Sequence, residues 1–148
     1  MNEKKPPQKP TNLRVYDCNL AINRQHLTIL EISPYYEKHN KEYLEALEKK
    51  GIILSKEELA KKLITNDLIR ELVKQLDGKD DIISVGKNIN WEAWSYYVYE
   101  PVFRSNGKAY KLVWCFDENH PHILGILDCY RRKKYDKKYK IINIRLSV

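Results

Sequence analysis

The chain has few of the residues and motifs on which many enzyme sites depend. Among its 148 residues are only five glycines, and neither GxGxxG nor GxxxxGK[ST] occurs, so no glycine-rich loop is available for nucleotide phosphates. GxSxG and HExxH are also missing, which argues against a serine-hydrolase turn and a zinc-protease helix. The apolar runs are only a few residues long, so we predict no membrane-spanning segment.

Cysteine usage points to a reduced protein. The three cysteines, Cys18, Cys115 and Cys129, are an odd number without a CxxC pair. Cys115 and Cys129 fall in apolar segments, where a reduced cysteine behaves as a small apolar side chain. The first ten residues, MNEKKPPQKP, lack the apolar core of a signal peptide. We therefore expect a cytoplasmic protein without disulfides, without a metal site and without a cofactor.

Positive charge is concentrated near the C-terminus. The formal net charge is +7, and residues 131–140 (RRKKYDKKYK) carry seven basic residues and one acidic residue, or +6. A cationic segment with interleaved tyrosines favours a polyanionic partner, and nucleic acid is the commonest polyanion. The alternative is a solvated, lysine-rich turn that keeps a sheet edge soluble.

The order of predicted elements suggests one domain over residues 13–148, preceded by a flexible arm at residues 1–12. Helix-start signals occur at Ser33-Pro34, at Ser55 and at Thr65 or Asn66. Asn106-Gly107 is the strongest hairpin signal. Strands are predicted at 13–16, 27–32, 82–85, 95–104, 109–116, 122–130 and 140–148. We predict an α+β domain with N-terminal helices packed on a C-terminal antiparallel β-sheet.

Cofactor-free cleavage of RNA is the enzyme chemistry that fits these residues. The 2′-hydroxyl of RNA can act as the nucleophile, so the protein has to supply a base, an acid and cations for the developing phosphate charge. His39, in the first helix, is a candidate base or acid, or else a hydrogen-bonded structural histidine. His120 and His122 flank Pro121 and form either a two-ligand metal site or an exposed turn.

Three consecutive features resemble the RelE/ParE-like toxins of bacterial toxin–antitoxin systems: a strand AYKLVW, a strand ILGILDCYRR and a basic tail with tyrosines. The resemblance covers about residues 66–140. It implies the barnase/EndoU/colicin/RelE-like ribonuclease fold, metal-independent RNA cleavage and a neutralising antitoxin. On matching positions, Lys111 is the basic residue of the central strand. Arg131 or Arg132 is the phosphate-stabilising arginine, and Tyr135 or Tyr139 is the aromatic acid or base.

The leading hypothesis is a RelE-like toxin that cleaves RNA without metal. Its predicted catalytic residues are Arg131, Arg132, Tyr135, Lys111 and His39. Its predicted RNA-binding residues are Arg104, Lys133, Lys134, Lys137, Lys138 and Tyr139. One alternative is a non-catalytic nucleic-acid-binding or inhibitor domain from a mobile element, and another is a tyrosine-rich module that binds an acidic protein. The nuclease hypothesis requires the basic segment and the first helix to face one concavity.

Overall fold

The computed structural model describes residues 10–86 and 95–137. A hairpin of β1 (Arg14–Ile22) and β2 (Gln25–Ile32) comes first. Three helices follow, namely α1 (Glu37–Lys49), α2 (Lys56–Lys62) and α3 (Asn66–Val73). The remaining strands are β3 (Tyr97–Phe103), β4 (Ala109–Phe116) and β5 (Ile123–Arg131). Single 3₁₀ turns occur at Pro34–Tyr36, Lys74–Leu76 and Lys133–Tyr135.

The five strands form one mixed sheet in the order β1-β2-β5-β4-β3. The α+β class is confirmed, but the prediction that helices come first is wrong, because β1 and β2 precede them. The prediction of a purely antiparallel sheet is also wrong, since β2 runs parallel to β5, with Ile29 opposite Ile123 and Ile32 opposite Ile126. The helical segment returns the chain so that the last strand of the β3–β5 meander lies beside β2.

The helix starts follow the predicted capping chemistry. The Ser55 hydroxyl accepts a hydrogen bond from the amide of Glu58 at 3.1 Å, and that of Thr65 accepts one from the amide of Leu68 at 3.1 Å. The apolar side of α3 and of the turn after it packs on the sheet. The residues buried there are Leu68, Ile69, Leu72, Val73 and Leu76.

The sheet has two chemically different faces. Tyr110, Leu112 and Trp114 alternate along β4 and are buried in the core shared with α3, on what we call the helix face. Lys111 and Val113 point to the opposite side, which we call the far face. In β3 the register shifts between Tyr99 and Val102, at Pro101, a residue that has no backbone NH to donate to the ladder.

The turn between β3 and β4 confirms the hairpin predicted at Asn106-Gly107. Gly107 has φ +84°, a conformation that favours glycine, and the amide of Arg104 bonds to the carbonyl of Lys108 at 3.0 Å. The basic segment folds back over this turn, because the amide of Lys137 bonds to the carbonyl of Gly107 at 3.0 Å.

The C-terminal half of β5 extends past the end of β2, and this positions the first helix. β2 ends at Ile32, opposite Ile126, and the amide of Ser33 donates to the carbonyl of Ile126 at 3.0 Å. The chain then turns through Pro34–Tyr36 into α1. The start of α1 consequently lies near residues 127–131 of β5, which have no β2 partner.

One predicted strand is absent from the structure, and several other predictions concern residues that the structure does not describe. Residues 82–85 form no strand, and only an isolated bridge joins Gly86 to Tyr96. The predicted strand at 140–148, the loop with Trp91 and Trp94, and most of the arm at 1–12 lie outside the described residues. Cys18, Cys115 and Cys129 are not joined by disulfides. Within residues 10–86 and 95–137, no helix has the length and apolar character of a membrane span.

Candidate functional site

A row of polar side chains crosses the far face from β5 to β3. Tyr130 on β5 is the register partner of Lys111 on β4, and the Lys111 Nζ atom lies 5.3 Å from the centre of the Tyr130 ring. A hydrogen bond to Tyr130 raises the pKa of Lys111, and the charge of Glu100 on β3 acts in the same direction. The lysine is therefore held in its charged form between a phenol and a carboxylate.

Arg132 joins the row from the end of β5. Its Nε atom lies 2.7 Å from Oε2 of Glu100, and the guanidinium carbon lies 5.4 Å from the centre of the Tyr135 ring. Both atoms of the ion pair are excluded from solvent, yet within the described part of the chain neither makes a hydrogen bond of acceptable geometry. A hydrogen bond to Tyr135 and the Glu100 contact both raise the pKa of Arg132, which stays a cation that a phosphate oxygen could also contact.

His39 forms the other end of the row. Its Nε2 atom lies 2.9 and 3.1 Å from the two carboxylate oxygens of Asp128, and its ring centre lies 5.4 Å from that of Tyr130. The side chains of His39 and Asp128 are 28% and 16% exposed, so the imidazole is accessible while its carboxylate partner is more covered. A carboxylate against Nε2 accepts a hydrogen bond from that nitrogen, which leaves Nδ1 as the second ring nitrogen for proton exchange.

The row therefore runs His39, Tyr130, Lys111, Glu100, with Arg132 against Glu100. Neighbouring strands lie about 4.8 Å apart, so β5 and β3 are separated by roughly 10 Å across β4. The imidazole of His39 and the carboxylate of Glu100 consequently lie at the two ends of the row, and the cations Lys111 and Arg132 lie between them. This arrangement suits displacement at phosphorus, where base and acid act on opposite sides of the reacting atom.

A separate pocket of about 180 Å³ opens on the helix face, at the same end of the sheet. It lies between α1, the end of α2, and β4 and β5. The residues that line it include five cationic side chains and neither aspartate nor glutamate. They are His39, Asn40, Tyr43, Lys61, Lys62, Ile64, Lys108, Tyr110, Arg131 and Lys133.

Lys108 is the most perturbed cation of this helix-face pocket. Burial, contact with the Lys62 amine and the charges of Arg131 and Arg104 lower its pKa to about 8. Asn40 helps to hold the Lys61–Lys62 segment there, because its amide bonds to the carbonyl of Ile64 at 2.7 Å and to its NH at 2.8 Å. Positive charge is thus gathered from helix and hairpin.

Arg131 has a structural partner inside the basic segment. Its two terminal nitrogens bond to the carboxylate of Asp136, with Nη2 and Oδ2 2.7 Å apart, and Nη1 also bonds to the carbonyl of Ala109 at 3.1 Å. The Arg131 guanidinium and the backbone amide of Ala109 lower the pKa of Asp136 to about 2. Arg131 therefore fixes the segment after β5 against β4, and Asp136 offsets its charge.

The predicted site residues are divided between these two places. Lys111, Arg132 and Tyr135 lie together on the far face. Arg131 and Lys133 line the helix-face pocket, and His39 touches both sites. Arg104 bonds to the carbonyl of Lys61 and lies beside the Tyr110 hydroxyl at 3.4 Å, while Lys134 and Lys137 lie over Tyr135 and Phe103. Lys138 and Tyr139 lie outside the described residues.

Sequence reasoning missed four residues that the structure brings to these sites. Asp128 carries a signal, because it is the single charge in the apolar strand ILGILDCY. Glu100 carries a weaker one, as the acidic residue in a tyrosine-rich strand. Lys62 and Lys108 carry no sequence signal, since they are 46 positions apart (108 − 62). Only the packing of α2 against the β3–β4 turn brings them together.

The histidine pair at the turn before β5 shows no wider ligand set. The rings of His120 and His122 lie 6.2 Å apart, and the residues at both positions are exposed. Within residues 10–86 and 95–137, no three His, Cys, Asp or Glu side chains are grouped so that they could hold a metal ion.

Comparison with protein-family models, with curated proteins and with solved structures found no match. Function is therefore inferred from the far-face row and the helix-face pocket themselves.

Proposed function

We propose that the chain is a metal-independent ribonuclease of the RelE-like toxin type, with its catalytic centre in the far-face row. One observation carries the proposal: Glu100 and His39 lie on either side of Lys111 and Arg132. A phosphodiester above Lys111 would have a proton acceptor on one side and an imidazole, backed by Asp128, on the other.

In the proposed reaction, the 2′-hydroxyl of RNA attacks the adjacent phosphorus. Phosphate binding draws Arg132 away from Glu100, and the freed carboxylate accepts the 2′-hydroxyl proton. The new bond joins O2′ to phosphorus while the bond to O5′ breaks, and the imidazolium of His39 gives its Nδ1 proton to O5′. The products are a 2′,3′-cyclic phosphate and a 5′-hydroxyl end.

The two cations stabilise the transition state. Lys111 and Arg132 contact the non-bridging oxygens, whose negative charge increases as the phosphorane forms. Tyr130 orients Lys111 through their hydrogen bond. Tyr135, which is 39% exposed and lies beside Arg132, offers a ring on which a base can stack.

The experiment is RNA cleavage in EDTA, comparing the wild type with Glu100→Gln and His39→Gln. Loss of an acid or base should lower the rate by about 10²–10⁴-fold. His122→Gln, which removes an exposed histidine away from the row, is the matched control and should cleave normally. A 2′-deoxy substitution at the cleaved position should block the reaction.

Two outcomes would redirect the assignment. Salt-sensitive RNA binding without any cleavage would support the non-catalytic nucleic-acid-binding or inhibitor domain. Equal activity of the wild type and Glu100→Gln would remove the far-face row from catalysis. The toxin and antitoxin part is tested separately: wild-type expression without a neutralising protein should arrest growth, and expression of Glu100→Gln should not.

A further inference from the structure

The helix-face pocket contains an arrangement that the far-face reaction does not use. The amines of Lys62 and Lys108 are within hydrogen-bonding reach of each other, with Arg131 and Arg104 close by. Bringing like charges together disfavours the folded state unless an anion lies between them. Lys61 and Lys133 add two more cations, and no carboxylate side chain lines the pocket. Asp136, which is paired with Arg131 and lies close enough to Lys108 for their charges to interact, offsets part of this charge. The cations outnumber it, so the cluster keeps an excess of positive charge.

The size of the pocket limits what can enter it. At about 180 Å³ it is smaller than the roughly 300–1,000 Å³ of pockets that enclose a drug-sized ligand. A whole nucleotide does not fit, but a single phosphate group does. An internal phosphodiester would have to leave the pocket through two ester links, whereas a terminal phosphate needs only one. A terminal phosphate also carries about −1.5 to −2 charges and three acceptor oxygens, which matches several lysines.

We propose that the helix-face pocket binds a phosphomonoester group, in preference to an internal phosphodiester, with Lys62 and Lys108 gripping its oxygens. Phosphate binding in this pocket does not require that the chain cleave RNA. That the phosphate belongs to a nucleic acid end rests on the proposed function, which makes RNA the polyanion that reaches the pocket. Tyr43 and Tyr110 line the same pocket.

The test measures binding of single-stranded deoxyribonucleotide oligomers with a 5′-phosphate, a 3′-phosphate or hydroxyls at both ends. Deoxyribose lacks the 2′-hydroxyl nucleophile, so binding is measured without cleavage. The wild type should bind one phosphorylated end at least about tenfold more tightly than the hydroxyl oligomer, the factor expected for one extra pair of charge-assisted hydrogen bonds. Inorganic phosphate should raise Tm more than acetate at equal ionic strength, which shows whether the free ion suffices.

Variants locate the effect. Lys62→Met and Lys108→Met should each reduce the preference for a phosphorylated end to near unity. Lys56→Met, at the start of the same helix and outside the pocket lining, should keep the preference. Equal wild-type affinity for phosphorylated and hydroxyl oligomers, or a preference that survives both pocket variants, would overturn the proposal.

A spectroscopic readout protects the test against a folding defect in the variants. In the wild type, NMR titration of the Lys108 side chain should show its pKa rising from about 8 when inorganic phosphate is added, because the anion offsets the neighbouring cations. An unchanged Lys108 titration at saturating phosphate would contradict the site. If the wild type cleaves no RNA but still binds the phosphorylated oligomer more tightly than the hydroxyl oligomer, only the proposed nuclease activity is contradicted.

Discussion

Arg131 and Arg132 are adjacent in the chain and chemically identical, yet they lie on opposite faces of the sheet. Arg131 bonds to Asp136 and to the backbone of Ala109 on the helix face. Arg132 contacts Glu100 on the far face, where neither paired atom makes a hydrogen bond of acceptable geometry within the described residues. The first arginine holds the segment after β5 against β4, and the second is the one to which the proposed function assigns phosphate contact.

Lys108 and Lys111 repeat this contrast three positions apart. Lys108 is surrounded by Lys62, Arg131 and Arg104, and its pKa is lowered to about 8. Lys111 is bonded to Tyr130, and its pKa is raised. The charge state of a lysine in this hairpin is therefore set by the face on which it lies. On the helix face, burial and neighbouring cations outweigh Asp136, which is paired with Arg131. On the far face, Tyr130 and Glu100 favour the charged lysine.

The largest expected effect separates the two arginines by their role in cleavage. Arg132→Met should reduce the RNA cleavage rate by about 10²–10³-fold, since it removes a cation from the transition state. Arg131→Met should lower the rate by less than about tenfold at a temperature where the variant is folded. Single-turnover rates with saturating enzyme measure both. Equal losses in the two variants would show that the faces are not functionally distinct.

The next largest expected effect is that of the Arg131–Asp136 pair on the free energy of unfolding. Arg131→Met should reduce the free energy of unfolding at pH 7 by about 1–2 kcal/mol, because a partly exposed, bidentate pair is lost. The lowered pKa of Asp136 stabilises the fold above about pH 4, and this contribution is lost as pH falls to about 2. The difference between wild type and variant in urea unfolding should therefore shrink over that range.

The exposed pair of Arg70 and Asp67 provides the control for this stability measurement. Their side chains are 46% and 89% exposed, and Asp67→Asn, which leaves the Arg70 guanidinium 4.3 Å from the centre of the Tyr16 ring, should cost no more than about 0.5 kcal/mol. A cost equal to that of Arg131→Met would mean that the Asp136 contact contributes nothing particular to the fold.

The smallest effect is the pH dependence that distinguishes the two lysines. Burial, and after it the neighbouring cations, lower the pKa of Lys108, so the cost of its charge is present below about pH 8 and is relieved as pH rises toward 10.5; stability should increase over this window. Lys111 has a raised pKa, so its stabilising contribution persists below 10.5 and is lost above it. Urea unfolding of Lys108→Met and Lys111→Met across pH 7–11 should change these slopes in opposite directions.

Local structure was largely predictable because it depends on neighbouring residues. The capping residues Ser55 and Thr65, the apolar stripe of α3 and the Asn106-Gly107 turn each produced the expected element. Strand β4 occupies the predicted residues, Ala109–Phe116. The error lay in the order of elements, because the early apolar segment 27–32 was not recognised as an inner strand of the sheet. Its partner, β5, lies about ninety positions away.

The candidate sites were only partly predictable, for the same reason. Sequence pattern pointed to Lys111, Arg132, Tyr135 and His39, and strand alternation placed Arg131 and Arg132 on opposite faces, but it left open which of the two stabilises phosphate. That choice depends on which acidic side chain lies beside each arginine. The helix-face pocket was not predicted as a lysine cluster, since Lys62 and Lys108 belong to elements without a local relationship.

The sequence by itself determined the helices, the β3–β4 hairpin and the concentration of positive charge after residue 130, since propensity, capping and charge act over a few residues. Tertiary structure decided which cations pair with a carboxylate and which are surrounded mainly by other cations. Such contacts join residues far apart in the chain, and they form only when α1, α2 and the strand ends pack together. Electrostatic interactions over a few ångströms then give like residues different roles.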